Sequence, residues 1–232
     1  MFKKLLLALL LFTSFQTSYS QVLISLLFGD KLNSDKIEFG LEGGANFSRM
    51  SDFESTKYQT FFNLGFYFDI KLKDQWFIYT GVLVKSNTGL NKLSENDLSI
   101  LDPDAFYISS GAYSQRISYF HIPVNIKHRF KNHFYLHAGP QVALRTKAFV
   151  KFEGEENNKT VEIKTENKDL FTRLEFGLIG GVGYKLKKGQ GMNIGMKYFY
   201  GLTNIMKETP AARNRSIYLV VGIPIGRHQP DQ

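Results

Sequence analysis

The chain of 232 residues contains no cysteine, which excludes a disulfide scaffold, a zinc–thiolate site, a cysteine nucleophile and a lipid-modified N-terminal cysteine. It lacks any run of about 18 consecutive apolar residues, the least that a membrane-spanning helix requires. Proline is scarce, 6 residues against 20 glycines. What is plentiful is aromatic and apolar: 15% aromatic, 43% hydrophobic and 22% charged residues. That is too apolar for a disordered chain, and the aromatic and glycine content points to β structure.

Residues 1–20 read as a secretory signal. Lys3 and Lys4 precede an apolar run at 5–12, and a polar stretch ends at Ser18, Tyr19 and Ser20, which sets cleavage between Ser20 and Gln21. Loss of the two lysines leaves 27 basic against 21 acidic residues and lowers the net charge from +8 to +6. An exported protein does not meet the cytosolic nucleic-acid pool, so no nucleic-acid partner is expected. The basic excess reads instead as attraction to anionic lipid headgroups or as an internal charge network.

From about residue 36 the chain shows eight segments of period-two alternation, the signature of strands rather than helices. In the first, Ile37, Phe39, Leu41, Ala45 and Phe47 alternate with Glu38, Gly40, Glu42, Gly44 and Asn46. In the fourth, Phe120, Ile122, Val124 and Ile126 alternate with Tyr119, His121, Pro123, Asn125 and Lys127. The third is noisier: Trp76, Ile78, Thr80, Val82 and Val84 oppose Phe77, Tyr79, Gly81, Leu83 and Lys85. The runs extend to roughly 9–13 residues, close to the roughly 9–11 that a tilted strand needs to cross a bilayer. The links alternate in length. Those at 73–75, 131–132 and 187–191 are short, whereas those at 48–59, 86–116, 147–172 and 203–214 are long and polar. Short turns at one end and long loops at the other describe an outer-membrane barrel with periplasmic turns and extracellular loops.

A soluble eight-stranded barrel with its apolar face inward is the competing fold. The glycines decide between them. Gly40, Gly65, Gly139, Gly177, Gly181 and Gly183 fall on the polar face, where a solvent-exposed surface would not need them. A narrow lumen does, because glycine leaves room for the large side chains that fill it. Aromatics also gather at strand ends, with Phe39, Trp76, Phe130, Phe134 and Tyr184 at the turn side and Phe47, Phe62, Phe120 and Tyr200 at the loop side, as two lipid–water girdles would require. The expected fold is all-β, an eight-stranded antiparallel up-and-down transmembrane β-barrel. It spans 36–225, preceded by the signal at 1–20 and a periplasmic segment at 21–35, and followed by a tail at 226–232.

The strand Tyr119-Phe120-His121-Ile122-Pro123-Val124-Asn125-Ile126-Lys127 resembles the Y-x-x-I-P-x-x-x-K strand of the PorT-like outer-membrane β-barrel family of Bacteroidota. So do Leu136-His137-Ala138-Gly139-Pro140, the Gly177 to Tyr184 strand, and Lys197 through Asn204. The resemblance covers about 36–225 and implies an outer-membrane barrel of OmpA- and OmpX-like architecture without implying an activity. One departure is the last strand. It closes on Ile223, Pro224 and Ile225 rather than on a terminal aromatic, so assembly by the outer-membrane machinery is expected to use an internal signal.

No catalytic, cofactor-binding or metal-binding residue is expected. His121 and His137 share the polar face of neighbouring strands and read as lumen fillers bonded to Tyr119, Tyr135 and Gln141, since a metal would need further ligands. His128, on the apolar face, has no serine beside it for a lipid-hydrolase pair. Asp102 and Asp104 lack the rest of a calcium loop, with Tyr107 where glycine belongs, and Asn158-Lys159-Thr160 reads as a coincidental glycosylation match.

The lumen charges are more informative. Glu38, Glu42, Asp69 and Glu175 share an interior with Lys85, Lys127, Arg129, Arg145, Arg173, Lys185 and Lys197, and charges in a narrow barrel must pair or meet water. Glu38, Glu42, Lys127, Arg129, Arg145, Glu175 and Lys197 are therefore expected to form a structural network, with Glu42 meeting Lys197 and Glu175 meeting Arg145. The loops are expected to add little packing, so that trimming 91–111 or 153–168 spares the barrel. A lumen substitution such as Asn125→Arg should cost much less than Ile122→Arg on the lipid face. The expected role is non-enzymatic: binding, adhesion or envelope structure through the loops, with lipid, the assembly machinery and an envelope protein or surface ligand as partners. The alternatives are an outer-membrane enzyme acting on lipid or peptide, which a lipid-face Ser–His–acid cluster would favour, and a narrow pore, which a continuous water path would favour.

Overall fold

The computed structural model describes residues 34, 36–55, 57–105, 111–156, 159–208 and 212–225. The signal with its Ser20–Gln21 junction, nearly all of the 21–35 segment, the 226–232 tail, Tyr107 and Asn158 lie outside the described residues.

Among the described residues nine strands form: β1 (Ile37–Met50), β2 (Gln59–Lys73), β3 (Trp76–Asn91), β4 (Ala112–Arg129), β5 (Phe134–Glu156), β6 (Lys159–Glu166), β7 (Leu174–Lys185), β8 (Asn193–Gly201) and β9 (Asn214–Pro224). Eight of them close a ring in the order β4-β3-β2-β1-β9-β8-β7-β5, sealed by the β4–β5 pairing, and β6 pairs with β5 outside it. All neighbours are antiparallel. This is an eight-stranded up-and-down barrel.

Its outer surface carries the apolar alternation. Phe62, Leu64, Ile122, Val124, Ile126, Leu136, Phe176, Leu178, Val182, Met196 and Leu219 all stand exposed, an outward apolar belt that only lipid can cover at acceptable cost. The girdle residues Trp76, Phe130 and Phe134 are exposed at the turn end. Phe39 is not: it is buried against Phe66 and Phe68, with ring centroids at 6.2 and 5.1 Å.

Inside, the glycines make space. A Cβ on Gly40 would stand 2.4 Å from the Tyr67 ring, and one on Gly183 would stand 2.3 Å from the Tyr135 ring. Both positions sit one strand away from a tyrosine that lies flat against the wall, and only glycine admits it.

The strands overrun the bilayer. β4 has 18 residues and β5 has 23, against roughly 9–11 needed to cross. The expected loop at 86–116 thus gives its two ends, 86–91 and 112–116, to β3 and β4, and between them holds a helix, α1 (Glu95–Leu101), capped by Ser94, whose side chain accepts from the Asp97 amide at 3.1 Å. The expected loop at 147–172 is largely the β5–β6 hairpin.

A bulge at Leu83–Ser86 is the second departure. It turns Lys85 outward, where its Nζ lies 5.7 Å from the Phe62 ring centroid, and Ser86 inward. The sequence pattern alone places Lys85 in the lumen; one extra residue reverses the side-chain parity beyond it. Above Leu64↔Lys85 the backbone pairing of β2 with β3 ends. Side chains bridge the opening: Asn46 Nδ2 donates to the Asn87 carbonyl at 2.7 Å, and the Gly89 amide donates to Ser48 Oγ at 3.0 Å.

Candidate functional site

The interior is built in layers, beginning at the turn end. The Lys127 ammonium lies 2.6 Å from Asp69 Oδ2, and Arg129 Nη2 reaches the same oxygen at 3.1 Å. Lys185 donates to both oxygens of Glu38, which also accepts from the Tyr67 hydroxyl at 3.2 Å. Arg129 and Glu38 keep 17% and 15% side-chain exposure while Asp69 and Lys185 keep none. Water therefore reaches this layer from the periplasmic mouth, and little of it goes further, since Lys197 and Glu42 keep only 5% and 6%.

One layer further in, Lys197 Nζ donates to Glu42 at 2.6 and 2.7 Å and lies 2.7 Å from the Tyr79 hydroxyl, which itself donates to Glu42 Oε2 at 2.7 Å. Tyr135 places its ring 4.1 Å under the Lys127 ammonium, a cation–π contact that a dry site strengthens. The space left among Glu42, Tyr67, Tyr79, Lys127, Tyr135, His137, Asn193 and Lys197 is about 10 Å³, hardly room for one water.

The histidines complete the middle of the barrel. His137 Nδ1 is 2.7 Å from Asn125 Nδ2, and His121 Nδ1 is 2.9 Å from Gln141 Nε2. The His121 ring also stands among Tyr119, Phe199 and Tyr218, with centroids at 5.4, 6.1 and 6.5 Å. His128 faces outward between Trp76 and Phe130, at 4.5 and 4.7 Å. Among the described residues no group of three metal-ligating side chains forms. Asn125 itself is buried at 1% exposure, with its Cα and Oδ1 pressed against the space over Gly139. Arginine there would overpack a filled interior, so the expectation that Asn125→Arg is mild does not hold.

Higher still, Glu175 is wholly buried and accepts from Asn214 Nδ2 at 2.8 Å. Arg145 does not meet it. Its Nε donates to the Thr172 carbonyl at 3.1 Å, because the strand edge turns over at 172–174 and draws Arg145 toward the rim. Arg173 is exposed at the same rim.

The loop end is closed by a second core. Met50, Leu90, Leu93, Leu98, Leu101, Tyr113, Ile117, Ala148, Val150, Phe171, Ile205, Met206 and Ala212 pack as one buried cluster. α1 enters from above with Leu98 and Leu101. Asp97 of α1 accepts from the Glu54 and Ser55 amides at 3.0 and 2.8 Å, tying the first loop to the second. Asn167 and Gln115 exchange amide hydrogen bonds at 2.7 and 3.2 Å, and Asn167 Nδ2 also donates to the Leu101 carbonyl at 2.8 Å. The last two loops join through Thr172 N to Ile205 O at 2.8 Å and Lys207 N to Leu170 O at 2.9 Å. The loops are therefore a folded cap, and the expectation that they add little packing is corrected. Sequence reasoning also missed Tyr79 as the bridge between Glu42 and Lys197, although its polar-face parity was the available signal.

A closed ring, an outward apolar belt and overrunning strands define an integral outer-membrane β-barrel. The sequence profile of the outer membrane protein beta-barrel domain matches residues 28–207, and the chain belongs to that family. It resides in the outer membrane. A search of curated proteins finds no match. Among solved structures, the chain is similar to Ail, the attachment invasion locus protein of Yersinia pestis, crystallised in complex with the heparin analogue sucrose octasulfate, at 10% identity and a TM-score of 0.45, covering 82% of this chain and 99% of that one. It is also similar to OprG of Pseudomonas aeruginosa, at 14% identity and a TM-score of 0.34, covering 82% of this chain and 93% of that one. At these scores neither likeness carries a functional argument.

Proposed function

We propose that the protein is a non-enzymatic binding, adhesion or envelope-structural protein that acts from its extracellular face, as a member of the PorT-like branch, exported by a signal cleaved between Ser20 and Gln21 and inserted by the outer-membrane assembly machinery. The observation that carries this reading is a lumen filled at every level, by ion pairs, then stacked rings, then an apolar cap. A filled lumen leaves the outer surface as the place for specificity. Above the cap, β5 and β6 project as a hairpin with Ile163 half exposed. An envelope partner or surface ligand would meet this hairpin first.

The test has two parts. Full-length protein in planar bilayers should show no steady conductance; a stable ion-selective channel would replace this reading with a pore. Cross-linking in native envelopes should then give a partner that is lost when only the hairpin tip at 155–160 is shortened, with the heat-modifiable barrel retained. Identical cross-links with and without the tip would place the function elsewhere.

A further inference from the structure

The outward face of β1 and β9, just beyond the apolar belt, carries a cluster of positive charge that forms no ion pair among the described residues. Arg49 and Arg215 are directly opposite one another across the β1–β9 ladder. Two residues lower on the same face comes Phe47↔Ile217, and two lower again Ala45↔Leu219, the last with Leu219 exposed in the belt. Arg213 lies one step higher, fixed opposite Ser51 by Ser51 N to Arg213 O at 2.9 Å and Arg213 N to Ser51 Oγ at 3.0 Å. Like charges directly opposite on a sheet oppose the pairing.

None of the three forms an ion pair among the described residues, although the field of the buried Glu175 reaches Arg215. The ion pairs among the described residues all lie elsewhere, in the lumen or on the β4–β6 extension and the segment after it. Arg213 Nε is buried without a hydrogen-bond partner. The Arg215 guanidinium is held to the wall rather than extended into water. Arg215 stacks 3.6 Å over the Tyr200 ring and donates from Nη1 to the Gly201 and Asn214 carbonyls at 2.8 and 2.9 Å. Arg49 lies 5.5 Å over the Tyr58 ring. At Arg215 the stacking and the backbone bonds fix the planar guanidinium before a ligand arrives, and a planar guanidinium is the group that favours bidentate binding to phosphate.

We propose that Arg49, Arg213 and Arg215, framed by Tyr58 and Tyr200, bind the phosphate of a phosphorylated lipid headgroup in the outer leaflet. The depth argues for a lipid rather than a dissolved anion. The arginines sit on the lipid-facing side of the wall, immediately above residues that must contact acyl chains, at the level where headgroups lie. The bilayer itself supplies the ligand and holds it at high local concentration.

The experiment uses the full chain in phosphatidylcholine nanodiscs containing a minor fraction of lipid A or of enzymatically dephosphorylated lipid A. The readout is the amount of lipid A retained per barrel after detergent extraction, measured by native mass spectrometry. Wild type should retain lipid A and not its dephosphorylated form. Arg49→Gln/Arg215→Gln should reduce retention roughly 25-fold, from about a fivefold loss per charge near a membrane surface. Lys71→Gln/Lys73→Gln, at the opposite rim, should leave it unchanged. Should the glutamine variant fail to fold in phosphatidylcholine alone, Arg49→Lys/Arg215→Lys decides. It keeps the charge, loses the fork and should bind several-fold more weakly; undiminished retention in that variant overturns the proposal. Equal retention by wild type and the glutamine variant overturns it too, as does retention of the dephosphorylated lipid. Displacement of lipid A by millimolar inorganic phosphate would also overturn it, by showing a free-anion site.

Discussion

At the turn end of the barrel the interior is shut by charged groups, and at the loop end by apolar ones. The two ends face the same ring of strands, yet they are closed by different physics. Below, Asp69, Lys127, Glu42 and Lys197 are each held by named partners at 2.6–3.1 Å, and removal of any one strands another. Above, Leu98, Leu101, Ile117 and Ile205 share a continuous apolar contact, and removal of any one leaves a hole that its neighbours partly fill. A buried ion pair specifies position but is brittle, whereas a packed cap tolerates change in proportion to the volume lost.

The largest expected effect tests the brittle end. Glu42→Gln leaves the Lys197 charge buried beside Tyr79 with no counter-ion, and should destabilise the barrel by about 3–5 kcal/mol. Lys197→Met added to it should recover part of that loss. A double-mutant cycle from urea unfolding in phospholipid vesicles reads the coupling directly. Additive losses would show that the lumen is wetter than its geometry, and would erase the contrast with the cap.

The cap should respond locally. Leu101→Ala should remove about 2–5 kcal/mol from cap stability while the heat-modifiable barrel below persists. Hydrogen exchange should then quicken at Asn91, Tyr113 and Phe171 but not at Tyr79 or Lys197. Trimming 91–111 removes α1 and both its leucines, so it should open the cap outright. Simultaneous loss of protection at both levels would mean that the two ends fold as one unit.

How much of this contrast the sequence announced depends on how local its cause is. Period-two alternation made the eight membrane strands legible, and parity put Glu42 and Lys197 in one interior. The bulge at Leu83–Ser86 was not legible, because a single inserted residue leaves the composition untouched while turning Lys85 to the lipid side. Nor was the cap. Leu93, Leu98 and Leu101 are few and widely spaced in a polar stretch, and they become a core only when loops from four places in the chain converge. The Glu175–Arg145 pairing failed for the same reason: it depends on how the rim folds at Thr172, not on strand parity.

The outer wall offers a third environment against which both ends can be measured. Ile122 is exposed between Phe120 and Val124 in the belt, so Ile122→Arg should cost ~2–4 kcal/mol if lipid covers it. The same substitution should become nearly neutral in a detergent with a thin, water-permeable belt. A cost that does not depend on the surrounding amphiphile would contradict lipid contact.

The smallest effect lies outside the membrane, where the same chemistry as the lumen pairs is exposed to water. On the projecting hairpin, Lys151 lies 2.7 Å from Glu153 and 2.8 Å from Glu162, and Glu162 also meets Lys164 at 2.6 Å. The Lys151 and Lys164 hydrogen bonds lower the Glu162 carboxyl from 4.5 to about 2, and Glu153 and Glu162 raise the Lys151 ammonium. A depressed carboxyl contributes above its unfolded value and loses that contribution as pH falls from about 4.5 through about 2. Exposed pairs are worth little, so the barrel and cap should be unmoved across that window. The Glu162 side-chain carbon signal should titrate with a midpoint near 2, and Lys151→Met should return it toward the ordinary carboxylate range. If acidification to pH 3 instead released the cap, the hairpin would be bracing the loop end, and the cap could no longer be treated as closed by apolar packing alone.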